Sequence, residues 1–313
     1  MIFSPGLDTL HDEHGRGGNS SEALPFDIFP VNCYETTVQL SAPAKTNLSL
    51  EVRGKRADGF HEIETLMVPI SLADTIIIDR ADDEGVIFTC SDPSLTGNDN
   101  LVVRAARLFF ERTHIPPGVH IHLEKRVPHG AGLGGGSSDA ATTLIGLNEM
   151  FGTGFKTPVL SMMAAELGSD IPFFVYRSAA ICRGRGELVE PVAFPHALPL
   201  LLIKPAFGVP TPWAYKQWKV SHELPDVPYA PQIFPWGRMV NDLERPVFEK
   251  YIFLAVLKRW LLGQPEVAGA MMSGSGSTTL AVLKDASNAP ALQEKIAAEF
   301  GDGLWMCACN VAV

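Results

Sequence analysis

A chain of 313 residues has room for about two domains, and 46% hydrophobic against 19% charged residues allows a sizeable core. Its 25 Lys and Arg against 35 Asp and Glu leave a formal charge of −10, which argues against a nucleic-acid partner, since such a protein wants a basic face to neutralise phosphates. The five cysteines, Cys33, Cys90, Cys182, Cys307 and Cys309, are scattered and contain no paired C-x-x-C motif, so they read as reduced thiols of a cytoplasmic protein rather than a zinc site.

No apolar run reaches the ~18 residues of a membrane span, the first residues lack a signal-peptide core, and no membrane partner is expected. Residues 1–36 read as a leader; 11–22 are polar and glycine-rich, which predicts poor order. Structure is expected from Thr37. Leu48, Leu50 and Val52 alternate with Asn47, Ser49, Glu51 and Arg53, the period of a half-buried strand. That register puts Lys45 and Asn47 on one polar face. Further strands are predicted over 75–79 and 88–90. A helix is expected after Asn98-Asp99-Asn100, with Leu101, Ala105, Leu108 and Phe109 at helical spacing. Pro116-Pro117-Gly118 marks a turn, and 119–124 alternates as a strand. His120 and His122 share a face of that strand without a third ligand and read as surface residues.

A glycine-rich loop then leads into a helix through Leu144 and Leu147. The next helix is expected to be capped by Thr157, to hold Pro158 in its first position and to close at Gly168. Asp170 follows, in the connection to Phe173-Phe174-Val175. After a composition change at 195–199, residues 200–203 read as a buried strand and 205–237, rich in Pro and Trp, as a loop or lid. Residues 248–262 predict one helix closed by Gly263, 271–277 a small-residue loop entering a strand at 279–283, and roughly 291–300 a last helix. Cys307 and Cys309 fall on one strand face. No internal repeat or coiled-coil heptad is found.

The strongest local signal is Pro128-His129-Gly130-Ala131-Gly132-Leu133-Gly134-Gly135-Gly136-Ser137-Ser138-Asp139, with five glycines in seven residues. Such a loop lets backbone N–H groups converge on one point without side chains in the way. The helix behind it, expected to begin at 137–139, aims its positive end there, and several phosphates are the natural occupant. Gly130, Gly132 and Gly135 spell G-x-G-x-x-G, but the charged, proline-broken stretch 124–128 separates them from the preceding strand and Glu149 belongs to the helix itself, so the dinucleotide fingerprint fails. The Gly54-Lys55 pair is followed by Arg56, so there is no Walker A loop.

The run from Pro128 to Ser138 resembles the second motif of the GHMP kinases. Ala42-Pro43-Ala44-Lys45-Thr46-Asn47-Leu48 resembles their first motif and Met272-Ser273-Gly274-Ser275-Gly276-Ser277-Thr278 their third. Gly168-Ser169-Asp170-Ile171-Pro172-Phe173-Phe174 is similar to the segment that supplies their catalytic acid. Gly54-Lys55-Arg56-Ala57-Asp58-Gly59-Phe60-His61-Glu62-Ile63 and Asn241-Asp242-Leu243-Glu244 resemble one branch, whose members phosphorylate the 2-hydroxyl of a cytidine-diphosphate-linked methylerythritol in isoprenoid precursor synthesis. The matches run in order from about residue 41 to 283. The leader has no counterpart in the pattern, and Phe60 stands where the family often has Tyr.

The resemblance implies an α+β fold of two domains, one like the second domain of ribosomal protein S5 (37–195, binding ATP) and one ferredoxin-like (196–313), with the active site between them. It implies Asp170 as catalytic base and Lys45 as its partner. Pro128, Gly130, Gly132, Leu133, Gly134, Gly135, Gly136, Ser137 and Ser138 would hold ATP, with Ser138 a candidate Mg²⁺ ligand. Asn47, Phe60, His61, Thr211 and Tyr215 would meet the substrate. Chemistry fits: a carboxylate can take an alcohol's proton as phosphoryl transfer proceeds, a lysine can favour the charge that develops, and an aromatic face can stack on cytosine while imidazole bonds its edge. From the residues alone, Asp170 reads equally as a turn cap, Ser137 and Ser138 as helix caps, and Phe60 and His61 as a core ring and a surface imidazole. Two other functions stay open: another GHMP kinase, for mevalonate or homoserine, and a silent nucleotide-binding sensor, against which the presence of both Lys45 and Asp170 argues.

Overall fold

Two long strands make the frame. A computed structural model describes residues 36–312, so the leader expected over 1–36 lies, apart from Thr36, outside the described residues. Strands Thr37–Lys55 (β1) and His61–Arg80 (β2) pair antiparallel along nearly their whole length. The first half of the chain continues with Gly85–Cys90 (β3), Leu101–Thr113 (α1), Gly118–Glu124 (β4), Gly135–Met150 (α2), Thr157–Leu167 (α3), Ile171–Tyr176 (α4), Ala180–Gly184 (β5) and Leu188–Pro191 (β6). The rest comprises Pro199–Lys204 (β7), Thr211–Gln217 (α5), Gln232–Phe234 (β8), Gly237–Asn241 (β9), Glu244–Lys250 (α6), Ile252–Leu262 (α7), Val267–Met272 (β10), Thr279–Leu283 (β11), Ala289–Phe300 (α8) and Trp305–Asn310 (β12).

One sheet has the order β3-β4-β2-β1-β9-β8, with β5 added to β2 and β6 to β5. The other has the order β10-β11-β7-β12 and is antiparallel throughout. Ile76, Ile78, Ile121 and Leu123 of the first sheet bury against Phe109 of α1, Leu144 and Leu147 of α2 and Phe173 of α4. Full burial of a side chain such as Phe109 contributes about 1.5–3 kcal/mol. Leu201, Ile203 and Ala281 of the second sheet bury against Leu257 and Leu261 of α7 and Leu292 and Ile296 of α8. Helices gathered on one face of mostly antiparallel sheets are the α+β arrangement expected. Strands β8 and β9 come from beyond residue 196 yet join the first sheet, β9 running parallel to β1 through Ser49 and Leu50.

Several elements differ from expectation for identifiable reasons. The alternation after Leu48 does not extend back to Lys45: residues 44–48 are all buried, so Lys45 and Asn47 share a side that is covered rather than solvated. Bulges at Pro43/Lys45 and Asn47/Ser49 break the period there. Strand β2 begins 14 residues before the predicted 75–79; Met67–Ile70, in its middle, are buried on both faces and interrupt the alternation there. Helix α2 starts at Gly135 rather than 137–139, with Gly134 at its N-cap in a left-handed conformation. Thr157 is the first residue of α3 rather than its cap, and Lys156 holds the cap position with no side-chain hydrogen bond. The stretch 205–237 contains α5 and β8 and is no simple lid. The single helix expected over 248–262 is two, broken at Tyr251 (φ −109°, ψ 68°). Phe248, Leu254 and Ala255 are buried on both sides of the break, so the apolar period runs through it unmarked.

Candidate active site

The glycine loop between β4 and α2 is built against two other backbones. Gly130, Gly132 and Gly134 have φ of 63°, 76° and 69°, which side chains disfavour. At Gly132 a Cβ would stand 2.5 Å from the Ser273 carbonyl oxygen and 2.9 Å from that of Gly276. The loop and the small-residue segment between β10 and β11 therefore touch backbone to backbone. Ser273 Oγ donates to the Gly132 carbonyl (3.2 Å), and Thr46 Oγ1 donates to Ser273 Oγ (3.0 Å). The Lys45 N–H donates to the Leu133 carbonyl (2.9 Å), fastening the loop to β1. At Gly134 a Cβ would lie 2.7 Å from Phe174 Cζ and 3.1 Å from Lys45 Cγ. Ser138 is turned inward: its Oγ donates to the Pro43 carbonyl (2.7 Å) and it is buried. Ser137 is half-buried in the first turn of α2, while Gly130 and Gly136 are exposed and Pro128 and Gly135 half-buried.

Beside this loop, Ser91, Asp92, Lys125, Pro128, His129 and Trp305 line an open cleft of about 300 Å³. Behind Lys125 lies a buried network. Its Nζ donates to Asp74 Oδ2 (2.5 Å) and to Asp139 Oδ2 (2.9 Å), and Asp74 Oδ1 accepts the N–H groups of Arg126 (2.5 Å) and Val127 (2.8 Å). Asp139 Oδ1 is buried with no hydrogen-bond partner. Burial raises the Asp139 pKa to about 8, with Lys125 opposing and Asp74 adding to the rise. Sequence reasoning singled out none of these three; the one available signal was Asp139 directly after the two serines.

The structure brings Lys45, Asn47 and Asp170 together. Lys45 Nζ donates to Asn47 Oδ1 (2.7 Å) and stands 4.0 Å from Asp170 Oδ2. Asn47 Nδ2 in turn donates to Thr65 Oγ1 (2.7 Å). The Lys45 side chain is 5% exposed and that of Asp170 43%. Burial lowers the Lys45 pKa, opposed by the charge of Asp170 and by Cys182. Cys182, on β5 opposite Thr65, has its own thiol pushed up to about 12 by burial. Asp170 occupies the N-cap position of α4 but makes no capping hydrogen bond with its side chain, so it does not fill the cap role that its sequence position allowed.

At the β1–β2 hairpin, Phe60 is 52% exposed. The His61 ring stacks on Tyr215 of α5 (centroids 5.5 Å apart, 27° between planes) and meets the edge of Trp218 at 6.1 Å. Burial lowers the His61 pKa, and Lys55 adds to this. Thr211 Oγ1 is hydrogen-bonded to Ser275 Oγ (2.7 Å), joining α5 to the small-residue segment between β10 and β11, the third loop. The rings of Phe60 and Tyr215 are thus held by different neighbours: Tyr215 stacks on His61, and the face of Phe60 carries the Arg185 guanidinium at 4.8 Å. Trp218 and Arg185 were not expected from the sequence. The segment Asn241–Glu244 supports the third loop. Asn241 Nδ2 donates to the carbonyls of Met272 (2.7 Å) and Gly274 (2.8 Å), and Glu244 Oε1 accepts the Met272 N–H (2.9 Å). His120 and His122 both contact Thr89 Oγ1, at 3.0 and 2.8 Å. Among the described residues no group of three or more His, Cys, Asp or Glu is arranged to hold a metal, and no helix is long and apolar enough to cross a membrane.

Residues 100–178 match the GHMP kinases N terminal domain and residues 235–302 the GHMP kinases C terminal domain, so fold and site together define a small-molecule kinase of that class. The 4-diphosphocytidyl-2-C-methyl-D-erythritol kinase of Methylacidiphilum infernorum (isolate V4) is 42% identical over 276 residues, which cover 85% of this chain and 93% of that protein. The enzyme of the same name from Synechococcus sp. (strain CC9605) is 40% identical over 296 residues, 87% of this chain and 96% of that one. A crystal structure of 4-(cytidine 5'-diphospho)-2C-methyl-D-erythritol kinase matches with a TM-score of 0.73 at 35% identity, covering 88% of this chain and all of that one (100%). The chain belongs to the 4-diphosphocytidyl-2-C-methyl-D-erythritol kinase family.

Proposed function

We propose that the chain, an ATP-dependent kinase by family, transfers the γ-phosphoryl group of ATP to the 2-hydroxyl of 4-diphosphocytidyl-2-C-methyl-D-erythritol through Asp170 and Lys45. The observation that carries this reading is the pairing of a buried lysine with an accessible carboxylate, 4.0 Å apart, beside a loop of left-handed glycines. Asp170 takes the hydroxyl proton as the oxygen bonds to the γ-phosphorus and the bond to the β-phosphate oxygen breaks, releasing ADP. Lys45, held by Asn47, offsets negative charge gathering on the attacking and phosphoryl oxygens, an effect strengthened by its burial.

The phosphates lie on the N–H groups of residues 130–137 at the start of α2, whose dipole favours them, and the adenine lies in the cleft at Pro128 and His129. Mg²⁺ accompanying the nucleotide would supply neutralisation of phosphate charge. Of the two hydroxyls Ser137 would be the one within its reach, since Ser138 is fully buried with its Oγ turned to the Pro43 carbonyl. Phe60, His61 and Tyr215 read the cytosine, and Thr211 and Asn47 border the rest of the substrate. The ATP-binding part is 37–195, the remainder 196–313, and the place of action the cytoplasm, which fits the free thiols of Cys90, Cys182, Cys307 and Cys309.

Asp170→Asn tests the assignment. It should bind ATP normally by calorimetry and lose about 10²- to 10⁴-fold in kcat. A folded variant turning over at near the wild-type rate would contradict it.

A further inference from the structure

The turn Gly184-Arg185-Gly186-Glu187, which joins β5 to β6, touches both ends of the proposed substrate site. The Gly184 N–H donates to Glu62 Oε1 (3.0 Å), beside His61 in the chain. Gly186 (φ 118°) lies against the proposed base, where a Cβ would stand 3.3 Å from Asp170 Oδ1. Between these two glycines, Arg185 lays its guanidinium carbon 4.8 Å from the centre of the Phe60 ring. A substrate whose cytosine meets Phe60 and whose hydroxyl meets Asp170 must place the charged diphosphate that links them near this turn.

The neighbouring guanidinium groups are engaged with carboxylates. Arg56 meets Asp58 (3.2 Å) and Glu62 (2.5 Å), Arg53 meets Glu64 (2.8 Å), and Arg183 meets Glu64 (2.9 Å) and Glu190 (2.6 Å). Arg185 is held more loosely. Its Nε pairs with Glu187 Oε1 at 3.6 Å, beyond a good hydrogen bond, while Glu187 Oε2 accepts the backbone N–H of Arg185 (2.6 Å). The Arg185 side chain is 32% exposed, so its donors are within reach of a ligand.

We propose that Arg185 binds the diphosphate of the cytidine-linked substrate and makes the enzyme selective for a nucleotide over a bare nucleoside; this rests on the reading that Phe60 and His61 take the cytosine. A guanidinium is suited to both contacts at once. Its flat face rests on an aromatic ring while its edge presents paired N–H donors to phosphate oxygens. A lysine supplies the charge without the paired donors or the stacking plane.

The test is calorimetric binding of cytidine and of cytidine diphosphate to the full chain, with the ATP site saturated by a non-hydrolysable ATP analogue. Wild type should prefer the diphosphate by roughly ten- to a hundredfold, as expected for charge-assisted hydrogen bonds. Arg185→Gln should bring the two ligands towards parity by weakening only the diphosphate, and should leave KM for ATP unchanged. Arg185→Lys should retain part of the preference. A full preference in Arg185→Gln would overturn the proposal, as would an equal loss for both ligands, which would mean that Arg185 only props the Phe60 ring. Wild type that fails to bind cytidine at all would overturn the base reading itself, and the proposal with it.

Discussion

Lys45 and Asp170 are of opposite charge and sit in opposite environments, and this division of labour governs what single changes should do. The buried lysine is held by Asn47 and Asp170, while the half-exposed carboxylate is open to an incoming alcohol. At the other end of the substrate, His61→Ala should lower kcat/KM for the cytidyl substrate roughly 5- to 150-fold, the effect of a lost buried hydrogen bond, and leave KM for ATP unchanged. Phe60→Tyr should be mild, since the ring survives. Steady-state kinetics with each substrate varied in turn decide this, and an equal loss for both substrates would speak against base reading. A second change concerns the buried network. Asp139 has a pKa raised to about 8, above that of an unfolded carboxyl, so the folded state holds a proton that the unfolded state has lost between about pH 4 and 8. Its contribution is full below that window and disappears as pH rises through it. Asp139→Asn should therefore gain stability relative to wild type from pH 5 to 8, by at most ~1.4 kcal/mol per pH unit. Urea denaturation at several pH values would show it, and a pH-independent difference would contradict it. That Lys45 and Asp170 would lie together was legible only through the family resemblance, and the glycine loop through its density of glycine before a helix. Asp74 and Lys125 were not, because an aspartate within one strand and a lysine after another look like solvated residues until the fold joins them.

At the scale of elements, the packing of the two small-residue loops explains why glycine stands where they meet. Gly132→Ala would drive a Cβ to within 2.5 Å of the Ser273 carbonyl oxygen, so the loops must part. We expect a Tm lower by at least ~3 °C, from a cost of about 1 kcal/mol or more, together with weaker ATP binding; an unchanged melting curve would show that the loops separate freely. Gly134→Val acts differently from a simple block to phosphate approach. Its side chain would press on Phe174 and on the Lys45 stem, so kcat should fall along with ATP affinity. The glycine-rich composition announced a loop, but not that its partner lay some 140 residues away. The breaks that went unseen have a common cause. Tyr251 leaves helical geometry in the middle of an unbroken apolar period, and α5 and β8 are short elements in a proline-rich stretch where local signals favour turns.

Across the whole molecule, the small-residue loop between β10 and β11 is braced from α6 and α7 by a buried ion pair. Lys258 Nζ donates to Glu244 Oε2 (2.6 Å), both side chains being 2% exposed, and the other oxygen of Glu244 holds Met272 at the edge of the third loop. Lys258→Met should leave Glu244 charged and unpaired, lowering stability by about 3–5 kcal/mol in urea denaturation; a change under 1 kcal/mol would mean that Glu244 takes up a proton at little cost. From sequence, Lys258 reads as one more polar position on a helix. The order of the family segments made the α+β class legible, but the entry of β8 and β9 into the first sheet depends on long-range pairing that no local pattern records. If this fold phosphorylates a cytidine-linked alcohol through Asp170, substrate choice and the loss of that carboxylate must both show in turnover. The most direct measurement compares product formation from 4-diphosphocytidyl-2-C-methyl-D-erythritol, mevalonate and homoserine under identical Mg·ATP, with wild type and Asp170→Asn. Turnover of the cytidyl substrate alone, largely abolished in the variant, is expected; preference for mevalonate or homoserine, or equal turnover by the variant, would overturn the assignment.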